Sequence, residues 1–330
     1  NDPLFKNQWG LSLISATDAW DISTCNQKIV IAIIDTGIQL DHQDIMNNIW
    51  QNSSEIMDSI DNDNNGLIDD LYGWDFVNND NDPSDDNGHG THIAGIVGAI
   101  GNNKIGVTGI CWKVQLMPLK IMDADGIGTV ADEIEAISYA INKGAKIINA
   151  SFGSNFFSNA EKEAIQIAQN KGILYITAAG NGGEDEIGDN NDIDPFYPAC
   201  YQLDNIISVT AVDISGNLLY FANYGHNSVD IAAPGISILS TVPINYYSSL
   251  SGTSMATAFI TGGAALVISV YPHLDYKQIK QLILKTVDIR GSLKDLILSK
   301  GIVNLKTAAG ALIPPSNLIV DSVKENTVII

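Results

Sequence analysis

Cysteine is scarce in this 330-residue chain: Cys25, Cys111 and Cys200 allow one bridge at most and leave a thiol over, which excludes a disulfide framework. Basic side chains are few, 17 against 38 acidic ones, and the net charge of −21 argues against nucleic acid as a partner and for bound cations. Charged residues are only 17% of the chain, so uncharged polar groups must supply much of the surface. No apolar run is read as reaching the roughly 18 residues of a membrane span. The opening NDPLFKNQWG has no basic start, apolar stretch or small-residue cleavage site, as in a processed mature form. Proline- and serine-rich linkers and internal repeats are missing as well. What remains is 45% hydrophobic, ample for a thick core.

Segment 28–35, KIVIAIID, is a β-branched run of strand length followed at once by a turn, and reads as a buried parallel strand. Further apolar runs are too short for helices: VQLMPLKI at 114–121, KIINAS at 146–151, ILYITAAG at 173–180, NIISVTAVD at 205–213 and VDIAAPG at 229–235. Between them THIAGIVGAI from 91, TVADEIEAISYAINKG from 129 and SNAEKEAIQIAQNKG from 158 have helical spacing, the last two closing on glycine. This alternation predicts an α/β fold with a mostly parallel sheet. From 253, TSMATAFITGGAALVISV is apolar on nearly every face and predicts a helix threading the centre of the domain. DYKQIKQLILKTV at 275–287 is amphipathic and belongs outside it. One domain is expected over 1–310, with 311–330 as an extension or linker.

Three motifs fall at the ends of these elements: DTG at Asp35, GHGTH around His89 and GTSMA around Ser254. A serine at the N-terminus of a buried helix lies near a positive dipole end, and a histidine opening another helix can act as its base. An aspartate at the C-terminal end of a parallel strand can fix the histidine tautomer. Competing readings fail on composition. A single DTG cannot form the two-carboxylate site of an aspartic protease, and GTSMA is not the GxSxG elbow. His89 and His92, three apart, lack the HExxH pattern or nearby cysteines of a zinc site.

Taken together, IAIIDTGIQLDHQDI, NGHGTHIAGIVGA, TAAGNGG and SGTSMATAFITGGAAL resemble the subtilisin-like serine proteases, the subtilases, in order and spacing over about residues 1–310. The resemblance implies a three-layer fold with helices on both faces of the sheet and a serine endopeptidase that cleaves peptide bonds through an acyl-enzyme. It implies that Asp35 orients His89, that His89 takes the proton of Ser254, and that Ser254 attacks the peptide carbonyl. Asn181 in AAGN matches the family's oxyanion-hole asparagine, although Asn before two glycines is also turn chemistry. Gly126, Ile127 and Gly128, with Ser151, Phe152 and Gly153, match the edges between which subtilases hold an extended peptide or protein substrate.

The chain departs from the family pattern where proline and histidine are expected after GTSMAT: it has Ala258 and Phe259. Proline in the first turn of that helix would set the position of the nucleophile. Its loss is associated in the family with easier attack of amines on the acyl-enzyme, so a peptide ligase or macrocyclase is the alternative reading. Phe196, where many relatives carry a small residue, is expected to shorten the first specificity pocket and favour small or medium side chains.

The acidic stretch DNDNNGLIDDLYGWDFVNNDNDPSDDNGHG puts Asp61, Asp63, Asn65 and Gly66 in the spacing that opens a calcium loop, with Leu67, Asp69 and Asp70 close behind. Tyr72 stands where an EF-hand has its last glutamate, so the loop is EF-hand-like at most, and a solvated acidic turn is the plainer reading. The resemblance adds two candidate sites. Asp2, Asp44 and Asn103 with the carbonyls of Gly101, Ile105 and Val107 match a tight calcium site, and Asp75, Asp80 and Asp82 fall where some relatives hold a second ion. Two or more structural calcium ions are expected to stand in for disulfides. The expected protein is a monomer, secreted or periplasmic, made as a zymogen whose propeptide inhibits it and aids folding, with no membrane span. A catalytically silent calcium-stabilised binding module is the reading outside enzymes.

Overall fold

Strands buried on both faces have no polar alternation, and the continuous apolar runs of the sequence become the central parallel strands. The computed structural model describes residues 1–183 and 185–311, together with two short strands, Ser322–Lys324 and Thr327–Ile329, paired with each other. The rest of the expected extension over 311–330 lies outside the described residues.

The strands are β1 (Val30–Asp35), β2 (Trp74–Asp75), β3 (Gln115–Lys120), β4 (Ile147–Ala150), β5 (Leu174–Ala178), β6 (Ile206–Val212), β7 (Ile231–Pro234), β8 (Ile238–Val242), β9 (Tyr246–Leu250), β10 (Asp288–Ile289) and β11 (Gly301–Ile302). Nine form one sheet in the order β10-β11-β7-β6-β5-β4-β1-β3-β2, parallel throughout except for β10 against β11, while β8 and β9 make a separate hairpin. The helices are α1 (Trp9–Leu13), α2 (Ala16–Ala19), α3 (His89–Gly98), α4 (Val130–Asn142), α5 (Asn159–Asn170), α6 (Thr253–Val270), α7 (Tyr276–Lys285) and α8 (Leu305–Ala309). Ile31 and Ile33 of β1 join a core with α3 and α6, whereas Ala32 and Ile34 join a second core with α4 and α5. The result is the three-layer α/β arrangement expected from the sequence.

Helix boundaries follow local chemistry. Thr129 and Ser158 accept the backbone N–H of Asp132 and Glu161 at the starts of α4 and α5, and Asp275 with Gln278 forms a reciprocal capping box on α7. Gly144 and Gly172, just past α4 and α5, adopt left-handed conformations that end those helices.

One expectation changes. Helix α6 has 18 residues without a charge and a mean hydropathy of 1.6, so by length and composition it could cross a membrane, contrary to the sequence reading; 83% of it is buried inside the fold. The one bridge that three cysteines allow is formed. Cys25 and Cys111 form a disulfide across a separation of 86 residues, a loop length worth about 4–5 kcal/mol by chain entropy. Cys200 is the free thiol.

His92 is a structural residue. Its ring lies fully buried with Nε2 on the carbonyls of Ile238 (2.9 Å) and Ser248 (3.1 Å), tying α3 to the hairpin, and burial pushes its pKa down to about 4. A depressed folded-state pKa stabilises fully above the unfolded value near 6.5, and that contribution is lost as pH falls towards 4. Urea unfolding at pH 7.5 and 4.5 should therefore show a loss about 2–3 kcal/mol smaller in His92→Gln, whose amide can donate but does not titrate, than in the native chain.

Candidate active site

The sheet order reverses at β1: β3 pairs on one side of it and β4 on the other. Crevices at the carboxyl ends of strands form at such switch points. Asp35 ends β1 there, fully buried, and its Oδ1 lies 2.7 Å from His89 Nδ1 and accepts the Thr36 N–H at 2.8 Å. Its Oδ2 is buried without a partner. Burial lowers the His89 pKa, but the charge and hydrogen bond of Asp35, with Asp85 further off, outweigh it and hold the imidazole above its ordinary range. Gly90, one residue on, lets α3 approach the Gly37 carbonyl, which a Cβ would clash with.

Ser254 is the second residue of α6, whose N-cap is Gly252, and is 8% exposed. Its hydroxyl donates to the Ser151 carbonyl at 3.0 Å and not to His89, although both residues line one cleft. Catalytic hydrogen bonds are often long or misaligned before substrate binds. Asn181 lines the same cleft; its Oδ1 accepts the backbone N–H (2.8 Å) and the hydroxyl (3.0 Å) of Thr253, which leaves Nδ2 as the free donor. Gly126, Ser151, Phe152 and Gly153 line the cleft, while Ile127 is 68% exposed and Gly128 pairs with Met122 beside it. The Phe196 ring packs over Gly153 and Gly180 and closes one wall.

Ala258 is the sixth residue of α6, not in its first turn as expected. At that position proline would remove the N–H that reaches back to the Ser254 carbonyl and press its ring on it. Ser151 Oγ also donates to this carbonyl, at 3.3 Å. Phe259 is buried against Gly10.

Supporting residues that sequence reasoning missed surround the pair. Asp85 accepts the Thr36 hydroxyl, the Asn87, Gly88 and Thr91 N–H groups and the Thr91 hydroxyl, and so shapes the turn into His89. The nearly buried Lys120 ammonium donates to the Thr36 and Met122 carbonyls and to Asp86.

The predicted ligand groups fare differently. Asp2, Asp44 and Asn103 come together: Asp2 accepts the N–H groups of Asn102, Asn103 and Lys104, and Asp44 takes the Asn103 amide, the Val107 N–H and the Tyr247 hydroxyl. The carbonyls of Gly101, Ile105 and Val107 accept no hydrogen bond from a described residue. Burial, with the charge of Asp2 adding to it, pushes Asp44 up to about 6, as for a carboxylate lacking a cation. This oxygen-only donor set fits a calcium ion. Asp61 and Asp63 gather with Glu55, unnoticed in the sequence, with ligand atoms within 4.8 Å of one another; Glu55 Oε2 and Asp63 Oδ1 are buried and unpartnered. That set also fits a hard cation. Asn65 and Asp70 turn towards each other, and Asp70 is held by Asn52, Tyr139 and Lys143 instead, while the Leu67 carbonyl accepts nothing from described residues. Asp75 and Asp80 pair through both backbone hydrogen bonds, at 3.0 and 3.1 Å, while the Asp75 carboxylate accepts from Val77 and Asn78 and Asp80 and Asp82 cap their own turns.

A three-layer α/β fold with a serine at a buried helix N-terminus, a carboxylate-oriented histidine and a side-chain amide in one crevice defines a serine peptidase class. The family model described as the subtilase family matches residues 26–310, and the chain belongs to that family. It is 38% identical to thermitase of Thermoactinomyces vulgaris, over 82% of this chain and 85% of that protein. It is 34% identical to subtilisin DY of Bacillus licheniformis, over 91% and 98%. Subtilisin-like protease 1 of Plasmodium falciparum is 33% identical over 98% of this chain and 49% of that protein, so the chain spans about half the length of such relatives.

Calcium in hundredfold excess over its dissociation constant should stabilise the fold by about 3 kcal/mol per site. Thermal melts with added calcium or a chelator check this, and Glu55→Gln should remove the increment from its own site while leaving that of Asp2 and Asp44.

Proposed function

We propose that the chain hydrolyses peptide bonds through an acyl-enzyme on Ser254. The observation that carries the reading is the 2.7 Å contact between Asp35 and His89 in the cleft that Ser254 and Asn181 share. His89 accepts the Ser254 proton as the oxygen attacks, and the buried Asp35 stabilises the imidazolium that forms and keeps its orientation. The Asn181 amide and the Ser254 backbone N–H, at the positive end of α6, donate to the oxyanion. His89 then returns its proton to the leaving amine.

The substrate lies extended against residues 126–128 and 151–153, whose backbone groups bind it with little sequence dependence. The wall made by Phe196 shortens the pocket beside the scissile bond and favours small or medium side chains there. Asp2, Asp44 and Asn103 with three carbonyls, and Asp61 and Asp63 with Glu55, hold calcium, which supplies rigidity and takes no part in the chemistry. The disulfide supports an extracytoplasmic location. Domain 1–310 as the catalytic unit, a propeptide inhibitor and a monomeric state complete the reading. Peptide ligation is the second reading, favoured by Ala258 alone.

Mass spectrometry of products from an ester-activated peptide, in water and then with a competing amine peptide, separates the two. Acid in both cases supports hydrolysis; joined peptide as the main product, converted back to acid by Ala258→Pro, supports ligation. Asn181→Ala should lower kcat by about 10²–10³. Asp35→Asn should lower it by about 10⁴. The acid limb of kcat/KM reports deprotonation of His89, held above its ordinary value by Asp35, so in Asp35→Asn that limb should move to lower pH.

A further inference from the structure

The segment that carries Asn181 has no regular secondary structure, and Asn181 stands exposed between Gly180 and Gly182, both in left-handed conformations (φ +108° and +72°). Glycine backbone of this kind is free to rotate, so a side chain between two of them is ordered only by bonds from outside the segment. The Thr253 N–H on Oδ1 fixes the tip of the Asn181 side chain. Asn223, from the loop between β6 and β7, fixes its backbone; it is 2% exposed and lies outside the cleft lining. The Asn223 N–H donates to the Gly180 carbonyl at 2.9 Å, and Asn223 Oδ1 accepts the Gly182 N–H at 2.7 Å. Both peptide groups of Asn181 are therefore clamped by a single residue. The same Oδ1 accepts the Asp189 N–H at 2.9 Å and so closes the loop that follows. The clamp is itself held in place. Its Nδ2 donates to Asn191 Oδ1 at 3.0 Å, the Asn191 amide donates to the Ala179 carbonyl at 2.8 Å, and the Thr210 hydroxyl donates to the Asn223 carbonyl at 2.6 Å. A Cβ on Gly180 would come within 2.5 Å of Asn223 Nδ2, so the two residues fit closely.

We infer that Asn223 is a positioning residue of the oxyanion hole: it touches no substrate and holds the Asn181 amide at the place where the tetrahedral oxygen develops. The inference rests on reading Asn181 as an oxyanion donor. Such a donor works by being in place before the charge forms, so one that can swing loses binding to the transition state and not to the substrate. A buried asparagine that merely satisfied a turn would bond along that turn. This one bonds to both sides of the one residue whose amide faces the cleft. An amide also suits the task because its oxygen takes two N–H groups while its nitrogen donates to Asn191, and it carries no charge. A carboxylate at the same position would oppose the developing oxyanion.

The test measures kcat and KM of the full chain with calcium on a peptide anilide, for the unmodified chain, Asn181→Ala, Asn223→Ala and the double variant. Asn223→Ala should lower kcat by about 10–10²-fold and leave KM within about twofold. In the double variant kcat should match that of Asn181→Ala within about twofold, because the donor that Asn223 positions is already gone. The acid limb of kcat/KM should stay in place in Asn223→Ala, since His89 keeps its contact with Asp35. Asn191→Ala, which removes only the partner of Asn223 Nδ2, is the second variant should Asn223→Ala not fold. It should lower kcat by about threefold to tenfold, and again only where Asn181 is present. Losses that multiply in the double variant, a rise in KM that accounts for the loss, a displaced acid limb, or a kcat equal to that of the unmodified chain would each overturn the inference. Unchanged kcat in Asn181→Ala would overturn the oxyanion reading and the inference with it, whereas a loss there with none in Asn223→Ala overturns the inference alone.

Discussion

A helix of 18 uncharged residues is stable only where every face is covered, and the enclosure of α6 is the constraint on which the rest of the molecule depends. The sheet covers one side of it, and α3, α8 and the N-terminal helices cover the others. Gly262 and Gly263 permit close approach to Ile110 and Leu305, where added carbons would clash. Once the helix is enclosed its N-terminus must emerge at the carboxyl edge of the sheet. Ser254 is thereby fixed next to the strand ends that carry Asp35 and Ser151, on a rigid element and not on a loop.

The same enclosure places the site in a medium where few charges are tolerated, and those present are paired with care. Asp35 is buried against His89, and Lys120 is buried against two carbonyls and Asp86. Elsewhere the acidic excess is concentrated where oxygens gather, at Asp2 with Asp44 and at Glu55 with Asp61 and Asp63. Lys143, bridging Asp63 and Asp70, relieves part of this charge from inside. Clustered carboxylates of the kind that suit a hard cation, together with one disulfide, form a consistent pattern for a chain with little basic residue to spare.

Much of this was legible in the sequence because periodicity and end-of-element motifs report local constraints. KIVIAIID reads as a strand covered on both faces, and DTG, GHGTH and GTSMA fall at the turn positions that parallel topology brings together. What was not legible depends on contacts between distant segments. Glu55 precedes the calcium-like loop and joins it only through folding, and the pairing of Cys25 with Cys111 cannot be derived from spacing. Ala258 lies a turn deeper in α6 than its motif suggests, because its place depends on where α6 starts, a boundary that composition does not fix.

The central claim is that the Asp35–His89 pair activates the one serine at the head of the buried helix. Reaction of the calcium-loaded chain with a peptidyl phosphonate, followed by proteolytic mapping and mass spectrometry, tests it most directly. The account predicts a single adduct on Ser254 whose formation slows as pH falls and His89 gains a proton. An unlabelled chain, or an adduct on any other residue at a rate independent of pH, would contradict it.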